Sequence, residues 1–543
     1  MAIGIDHYHI RQNALNRFIS GYGDWNEDHS QFLSKDIYVD ENDVLRCSPD
    51  FDISRNFGQI YTLLNNYDNL RDIYHEKMRY YKGDHGNIRT RTYNDPTGAN
   101  ANDDRNRVVV NMPKNLVNTF TGYTNGIAPK ITYSDNPSAD GEPDAGSKAV
   151  NDDLAVLFSR SRFNDVMFEW SKQASIHGRS YCLAYLNSRG QLKLTFKSPE
   201  NAFVVYSNSN DSEPVFAIDF NRVQGAYYGT VHTTDFDYQF NNGDVKKAQS
   251  SVGFENSVIG HQGRVSNPFK MIPLIEMAQN DEREGVFDDV ISLIDSMDNT
   301  MSAKIDDVDY FRAAILYIAG VAELTPEQKE TIRKWHIFQI PDTVMMTETA
   351  PQKFDVHYLD KPDGDNVQEN AIKHLTHQVY DTAQVTNMND PDFANSTASG
   401  VSLDKKMQPM QMMAAIKFRK MEAAVQDLLF LIYAYNNGEA RSYDKADEMV
   451  RDTTIQFTPN VPHDTLQESQ IVKNLNGIVS LDQLLSYLSS VKSIPDEMAR
   501  IKKQQAANQT KFANAPSGDG PVGPENESDP QGDDDSEDEG DDS

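Results

Sequence analysis

DEREGVFDDVISLIDSMDNTMSAKIDDVDYF, residues 281–311, places Phe287, Val290, Ile291, Ile294, Met297, Met301, Ile305 and Val308 at three- and four-residue spacing. That period predicts a helix with one apolar stripe. Its other faces carry Asp288, Asp289, Asp295, Asp298, Asp306, Asp307 and Asp309, more carboxylates than the solubility of one helix requires. The pattern predicts a negatively charged wall. Beyond Gly320, Thr325, Pro326 and Gln328 mark a helix start and capping box, with a helix to about Trp335. Short β-type runs follow at 337–340, 344–347 and 354–359, separated by Pro341-Asp342 and Ala350-Pro351. After KPDGD, Ile372, Leu375, Val379 and Ala383 predict a second helix running back.

TNMNDPDFANSTASG, residues 386–400, has no helical period and reads as a loop. A long helix from Val401 to about Asn436 then carries Met407, Met410, Met413, Ile416, Met421, Val425, Leu428, Leu429 and Ile432. Pro409 inside it removes a backbone bond, which predicts a kink near 405–409.

Toward the amino terminus, apolar positions from Ile60 to Met78 predict a helix closing on Tyr80-Tyr81-Lys82-Gly83. Residues 1–50 read as an extension. Two further helices, 149–158 and 163–177, precede strands at 180–186, 192–196, 202–206, 215–220, 226–232 and 271–277, an α+β arrangement. Toward the carboxyl end, Thr454–Phe457 reads as a strand, and Asp464 with Gln467 and Ser480 with Gln483 fit capping boxes of two helices. A third helix is predicted from Asp496. Past Pro516, Gly, Pro, Ser, Asp and Glu dominate, a composition that cannot offset its ordering entropy.

The 543 residues carry a formal net charge of −31, and removing the twelve acids of 516–543 leaves −19. So acidic a chain argues against tight nucleic-acid binding, which needs clustered lysine and arginine, but suits a surface past which a polyanion slides. With Cys47 and Cys182 as its only cysteines, no disulfide framework is expected. No apolar run is long enough for a bilayer, the amino terminus lacks a signal-peptide pattern, and the reading is of a chain made in the cytoplasm without a membrane partner. His374 and His377 lie three apart but lack a third ligand, so neither metal nor cofactor is expected. Walker-type, HExxH, GxSxG and CxxC motifs are absent, and no catalytic residue is assigned.

Seven stretches in order carry a family resemblance: YYKGDH (80–85), NRVVVNMPKNLVNTFTGYTNG (106–126), ASIHGRSYCLAYL (174–186), IPLIEMAQNDEREGVFDDVISLIDSMDNTMS (272–302), ELTPEQKETI (323–332), STASGVSLDKKM (396–407) and NLNGIVSLDQLLSYL (474–488). Together they resemble the portal, or head-tail connector, proteins of long-tailed phages of Gram-positive bacteria. The resemblance implies an elongated α+β portal fold assembled in a ring. Its parts would be an N-terminal extension (1–50), a wing (51–280), a first stem helix (281–312), a small α/β clip (313–364) and a second stem helix (365–387). A tunnel loop (388–399), a long kinked helix returning to the wing (400–463), a helical crown (464–510) and a disordered acidic tail (511–543) would complete it.

The resemblance also implies roles. The chain would form a homo-oligomeric ring of about twelve subunits at one capsid vertex of the virion, through which double-stranded DNA is packaged and ejected without sequence specificity. Met388, Asn389, Asp390, Asp392, Phe393, Asn395 and Ser396 would face the DNA. Asp288, Asp295, Asp298 and Asp306 would line the channel. Trp335, His336, Asp342 and His357 would dock the terminase and the head-tail adaptor, with major capsid and scaffold proteins as further partners. Two other readings stay open, a metal-dependent nucleic-acid-processing enzyme and a scaffold protein of the capsid interior.

Overall fold

The computed structural model describes residues 31–89 except 41, 106–134, 145–241 except 225, 264–312, 316–319, 355–358, 365–389, 400–436, 443–461 and 465–486, with short pieces at 326–330 and 488–505. Strands Gln31–Phe32 (β1), Tyr38–Val39 (β2) and Leu45–Cys47 (β3) precede helix Gly58–Tyr81 (α1). Helix Met112–Asn125 (α2), strand Lys130–Tyr133 (β4) and helices Ala145–Ser161 (α3) and Phe163–His177 (α4) follow. Eight strands come next: Arg179–Leu186 (β5), Leu192–Lys197 (β6), Ala202–Ser207 (β7), Pro214–Val223 (β8), Ala226–His232 (β9), Phe236–Asn241 (β10), Arg264–Ser266 (β11) and Leu274–Ala278 (β12). Helix Ile291–Arg312 (α5), strands Leu316–Ala319 (β13) and Asp355–Tyr358 (β14), helices Asp365–Thr382 (α6), Gly400–Asn436 (α7) and Tyr443–Arg451 (α8), and strand Thr453–Gln456 (β15) complete the larger of two compact units, Met1–Val461. The fold is α+β.

Its largest sheet has the order β1-β2-β3-β7-β8-β9-β10-β11. The first three strands revise the expectation that residues 1–50 are an extension. Leu45 lies parallel to Val205, so residues 45–47 form an internal strand of the sheet rather than an appendage. Helix α1 buries Ile60, Leu63, Leu64 and Tyr67 against Phe203, Phe216, Ile218 and Phe220 of that sheet. A smaller sheet β12-β5-β6 carries a second core, in which Trp170 of α4 meets Leu428, Leu429 and Ile432 of α7. Strand β15 joins β4, with Thr454 opposite Thr132.

A third core gathers Leu116 and Phe120 of α2, Ile294 and Met297 of α5, Val379 of α6, and Met407, Met410 and Ala414 of α7. Helix α2 starts where the Asn111 side chain accepts from Lys114 N at 3.2 Å, with Pro113 in its first turn. Helix α7 runs through Pro409 and belongs to two cores in succession. Helix α5 stops at Arg312, and β13 beyond it pairs antiparallel with β14. The expected strands at 337–340 and 344–347 lie outside the described residues.

The smaller unit, Pro462–Ser543, contains helices Thr465–Leu475 (α9) and Leu481–Ser486 (α10). The Ser480 hydroxyl accepts from Gln483 N at 3.4 Å, the cap that the sequence predicted.

Candidate functional site

Asp295, Asp298 and Asp306 of α5 do share a face, but that face is turned into the subunit. Ordered along the helix, Asp298, Ser302 and Asp306 recur once per turn. Opposite them the chain 106–110 runs antiparallel. Val110 N donates to Asp298 Oδ1 at 2.7 Å, Val108 N to Ser302 Oγ at 2.9 Å and Asn106 N to Asp306 Oδ1 at 2.7 Å. Two residues of extended chain advance ~6.6 Å and four residues of helix ~6 Å, so alternate amides stay in step with successive turns. The helix supplies acceptors that a neighbouring strand would otherwise provide.

The same face holds residues 77–87. Lys77 Nζ meets Asp288 Oδ2 at 2.5 Å, and Tyr80 Oη donates to Asp295 Oδ1 at 2.8 Å. Asn87 also donates to Asp295. His85 is fully buried, stacked on Tyr80 with ring centroids 4.6 Å apart. Both of its ring nitrogens face acceptors, Nδ1 at 2.5 Å from Asp298 Oδ2 and Nε2 at 3.2 Å from the Tyr80 carbonyl.

The channel-lining expectation is therefore corrected for Asp298. Its carboxylate has no solvent exposure and is closed in by His85 and Val110. Asp288, Asp295 and Asp306 are partly buried and bonded to the same 77–110 segment. The apolar stripe divides as well. Phe287, Val290, Ile291, Ile294 and Met297 are buried, whereas Ile305 and Val308 are 37% and 53% exposed, as is Val367 of α6 at 69%. Lys304 with Glu369 at 2.5 Å and Asp307 with Gln368 at 2.8 Å tie the two helices there.

At the other end of α6, Gln384 takes a left-handed φ of 54° and turns the chain toward the predicted loop. Met388 is 38% exposed, and Asn389 N donates to Asn387 Oδ1 at 3.0 Å. A cavity of about 370 Å³ lies at this base, between His377, Tyr380 and Asp381 of α6, Thr386 and Asn387, and Lys406 and Pro409 of α7. Asp390, Asp392, Phe393, Asn395 and Ser396 lie outside the described residues, as do Trp335, His336 and Asp342. His357 is in β14, paired in register with Tyr317. The structure thus brings together the acidic positions with the YYKGDH and NRVVVN stretches, and places the loop base and His357 elsewhere.

The sequence of this α+β chain was compared with known families. The model of the SPP1 Gp6-like phage portal proteins matches residues 61–511. The chain belongs to that family. Comparison with curated proteins yields no match. Portal proteins are structural, non-enzymatic components of the phage capsid. Among the described residues, no helix is long and apolar enough to cross a membrane.

A further portal-like stretch, 174–186, meets the 272–302 stretch in the body of this portal chain. Gly178, at φ 89°, sits where an added Cβ would lie 1.7 Å from the Arg283 carbonyl oxygen, and Gly285 sits 2.6 Å by the same measure from that of Ile176. Val286 N donates to Ser175 O and Gln279 N to Gly178 O, at 2.9 and 2.8 Å. The turn docked there brings Arg283, itself at φ 58°, to Glu276 at 2.8 Å. Burial alone would raise the Glu276 carboxyl. The Arg283 and Arg179 guanidiniums and hydrogen bonds from Arg283 and Tyr206 outweigh it and hold the group below the usual carboxylate range. GRS at 178–180 and EREG at 282–285 lie far apart in sequence, and nothing in either signals that one is the seat of the other.

Proposed function

We propose that the chain forms the ring-shaped channel at one capsid vertex through which double-stranded DNA is packaged and ejected. The observation that carries this reading is the portal-family match from residue 61 to residue 511, which takes in the helical hairpin, the loop and the returning helix together. Residues 388–396 would face the duplex at the narrowest point, and the segment 313–364, with Trp335, His336, Asp342 and His357, would dock the terminase and the head-tail adaptor. The net charge of −31 supports passage without adhesion, because a like-charged wall repeated about an axis repels phosphates evenly. Asp288, Asp295 and Asp306 would contribute to that field from half-buried positions rather than as contacts.

The rival reading, a metal-dependent nuclease, would need carboxylates available to a cation. Asp288, Asp295, Asp298 and Asp306 are instead engaged by Lys77, Tyr80, His85, Val110 and Asn106. Negative-stain images and light scattering of the purified full chain test the proposal. A closed ring of about twelve subunits with an axial opening is the expected result. A monomer, or a particle without an opening, would overturn it.

A further inference from the structure

Helix α7 passes from the third core to the second between Ala414 and Met421, and a lysine occupies the crossing. Lys417 is fully buried. Its Nζ donates to the Ser171 carbonyl at 3.0 Å and to Ser175 Oγ, both on α4, and lies 5.3 Å from the centre of the Phe120 ring on α2. The two serines are fixed in turn. Ser171 Oγ donates to Asn125 Oδ1 at 2.7 Å, and Ser175 Oγ reaches Gln279 Oε1 at 3.3 Å.

Two acceptors match the two protons of a neutral amine. Among the described residues, the third proton of an ammonium would meet the face of Phe120, a weaker partner than an oxygen. Charged groups on the surrounding elements are engaged elsewhere or point outward. On α4, Glu169 pairs with Lys172 at 2.8 Å, Asp165 is exposed, and His177 is buried against Tyr74. Beyond β12, Asp281 pairs with Lys420, while Glu276 within that strand holds Arg283. Lys114 of α2 and Arg419 and Glu422 of α7 are exposed. Burial therefore acts unopposed on the amine and pushes it down to about 7.

We propose that Lys417 makes the docking of α7 conditional on the charge of its own amine: the neutral form seats the helix between the two cores, and the ammonium loosens it. The sign follows from where the proton is held. Between about pH 7 and the ordinary lysine range, the undocked lysine binds a proton that the docked one does not, so docking tightens as pH rises. Below about pH 7 both forms are protonated, and the dependence levels off.

Hydrogen exchange of the full chain from pH 6 to 9.5, corrected for intrinsic exchange, tests this. Amides of residues 412–424 are expected to gain about tenfold in protection per pH unit above about 7. Strand amides of β8 and β9 serve as the internal reference, so the wild-type comparison stands even if a variant fails to fold. Lys417→Met, which keeps the length and removes the titration, is expected to flatten the α7 profile. A wild-type profile at 412–424 parallel to the strands, or a slope that persists in K417M, would overturn the proposal.

Discussion

Replacing Asp298 should damage the fold in a manner that depends on what replaces it. The carboxylate joins α5 to both the 80–89 and the 106–110 segments, through His85 at 2.5 Å and Val110 N at 2.7 Å. In Asp298→Ala two buried donors lose their acceptor together. Leaving a buried donor without its acceptor costs ~1–3 kcal/mol, and two are orphaned at once where both side chains are essentially without solvent, so about 4 kcal/mol is expected. Asp298→Asn differs. Its Oδ1 can still accept from Val110 N, its amide can donate to His85 Nδ1, and the ring keeps its Nε2–H on the Tyr80 carbonyl at 3.2 Å. Both former donors keep a partner and only the second amide proton is left over, so the cost should fall to about 2 kcal/mol. Urea unfolding measures the two losses, and hydrogen exchange at Val108 and Val110 shows whether the ladder opens. Equal losses for Ala and Asn, or an Ala variant whose two amides remain protected, would refute the reasoning. An Ala variant of unchanged stability that altered DNA passage would put the carboxylate back in the channel.

Three further outcomes are expected. Gly178→Ala places a methyl 1.7 Å from the Arg283 carbonyl at a φ of 89°, so it should cost on the order of 3 kcal/mol or more and lower the thermal midpoint, and an unchanged midpoint would contradict the docking of 283–285. His232 lies between Asp219 at 3.0 Å and Asp237 at 2.9 Å. Burial pulls its imidazole down, but the two carboxylate hydrogen bonds and charges win and raise it to about 9. Its contribution, roughly 3 kcal/mol, should be full below about pH 6.5 and lost as pH rises through about 9, an alkaline decline that His232→Gln should remove from urea midpoints measured at pH 6 and 10. Replacing Asp390 and Asp392 together by lysine should hinder DNA passage in a packaging assay while rings remain intact by electron microscopy, and unchanged packaging would count against a DNA-facing loop.

Helix positions, caps and many strands follow from local rules, so the sequence alone determined them: the Ser480 cap, the α1 stripe that starts at Ile60, and the run of strands after His177 all depend on neighbours a few residues away. The acidic face of α5 was equally legible as a pattern. Its orientation was not, because a carboxylate at helical spacing reads the same whether it meets water or a backbone amide two hundred positions earlier. Tertiary structure also decided that residues 45–47 join the sheet in parallel beside 205–207, and that 283–285 pack against 175–178 with a glycine on each side. Lys417 makes the same point from inside a helix: spacing placed it on α7, but only the meeting of α2, α4 and α7 removed it from water. The physical reason is common to all four. Local conformation is set by covalent neighbours, whereas burial and hydrogen-bond partnership are set by whichever distant segment arrives, and desolvation then decides what each polar group does.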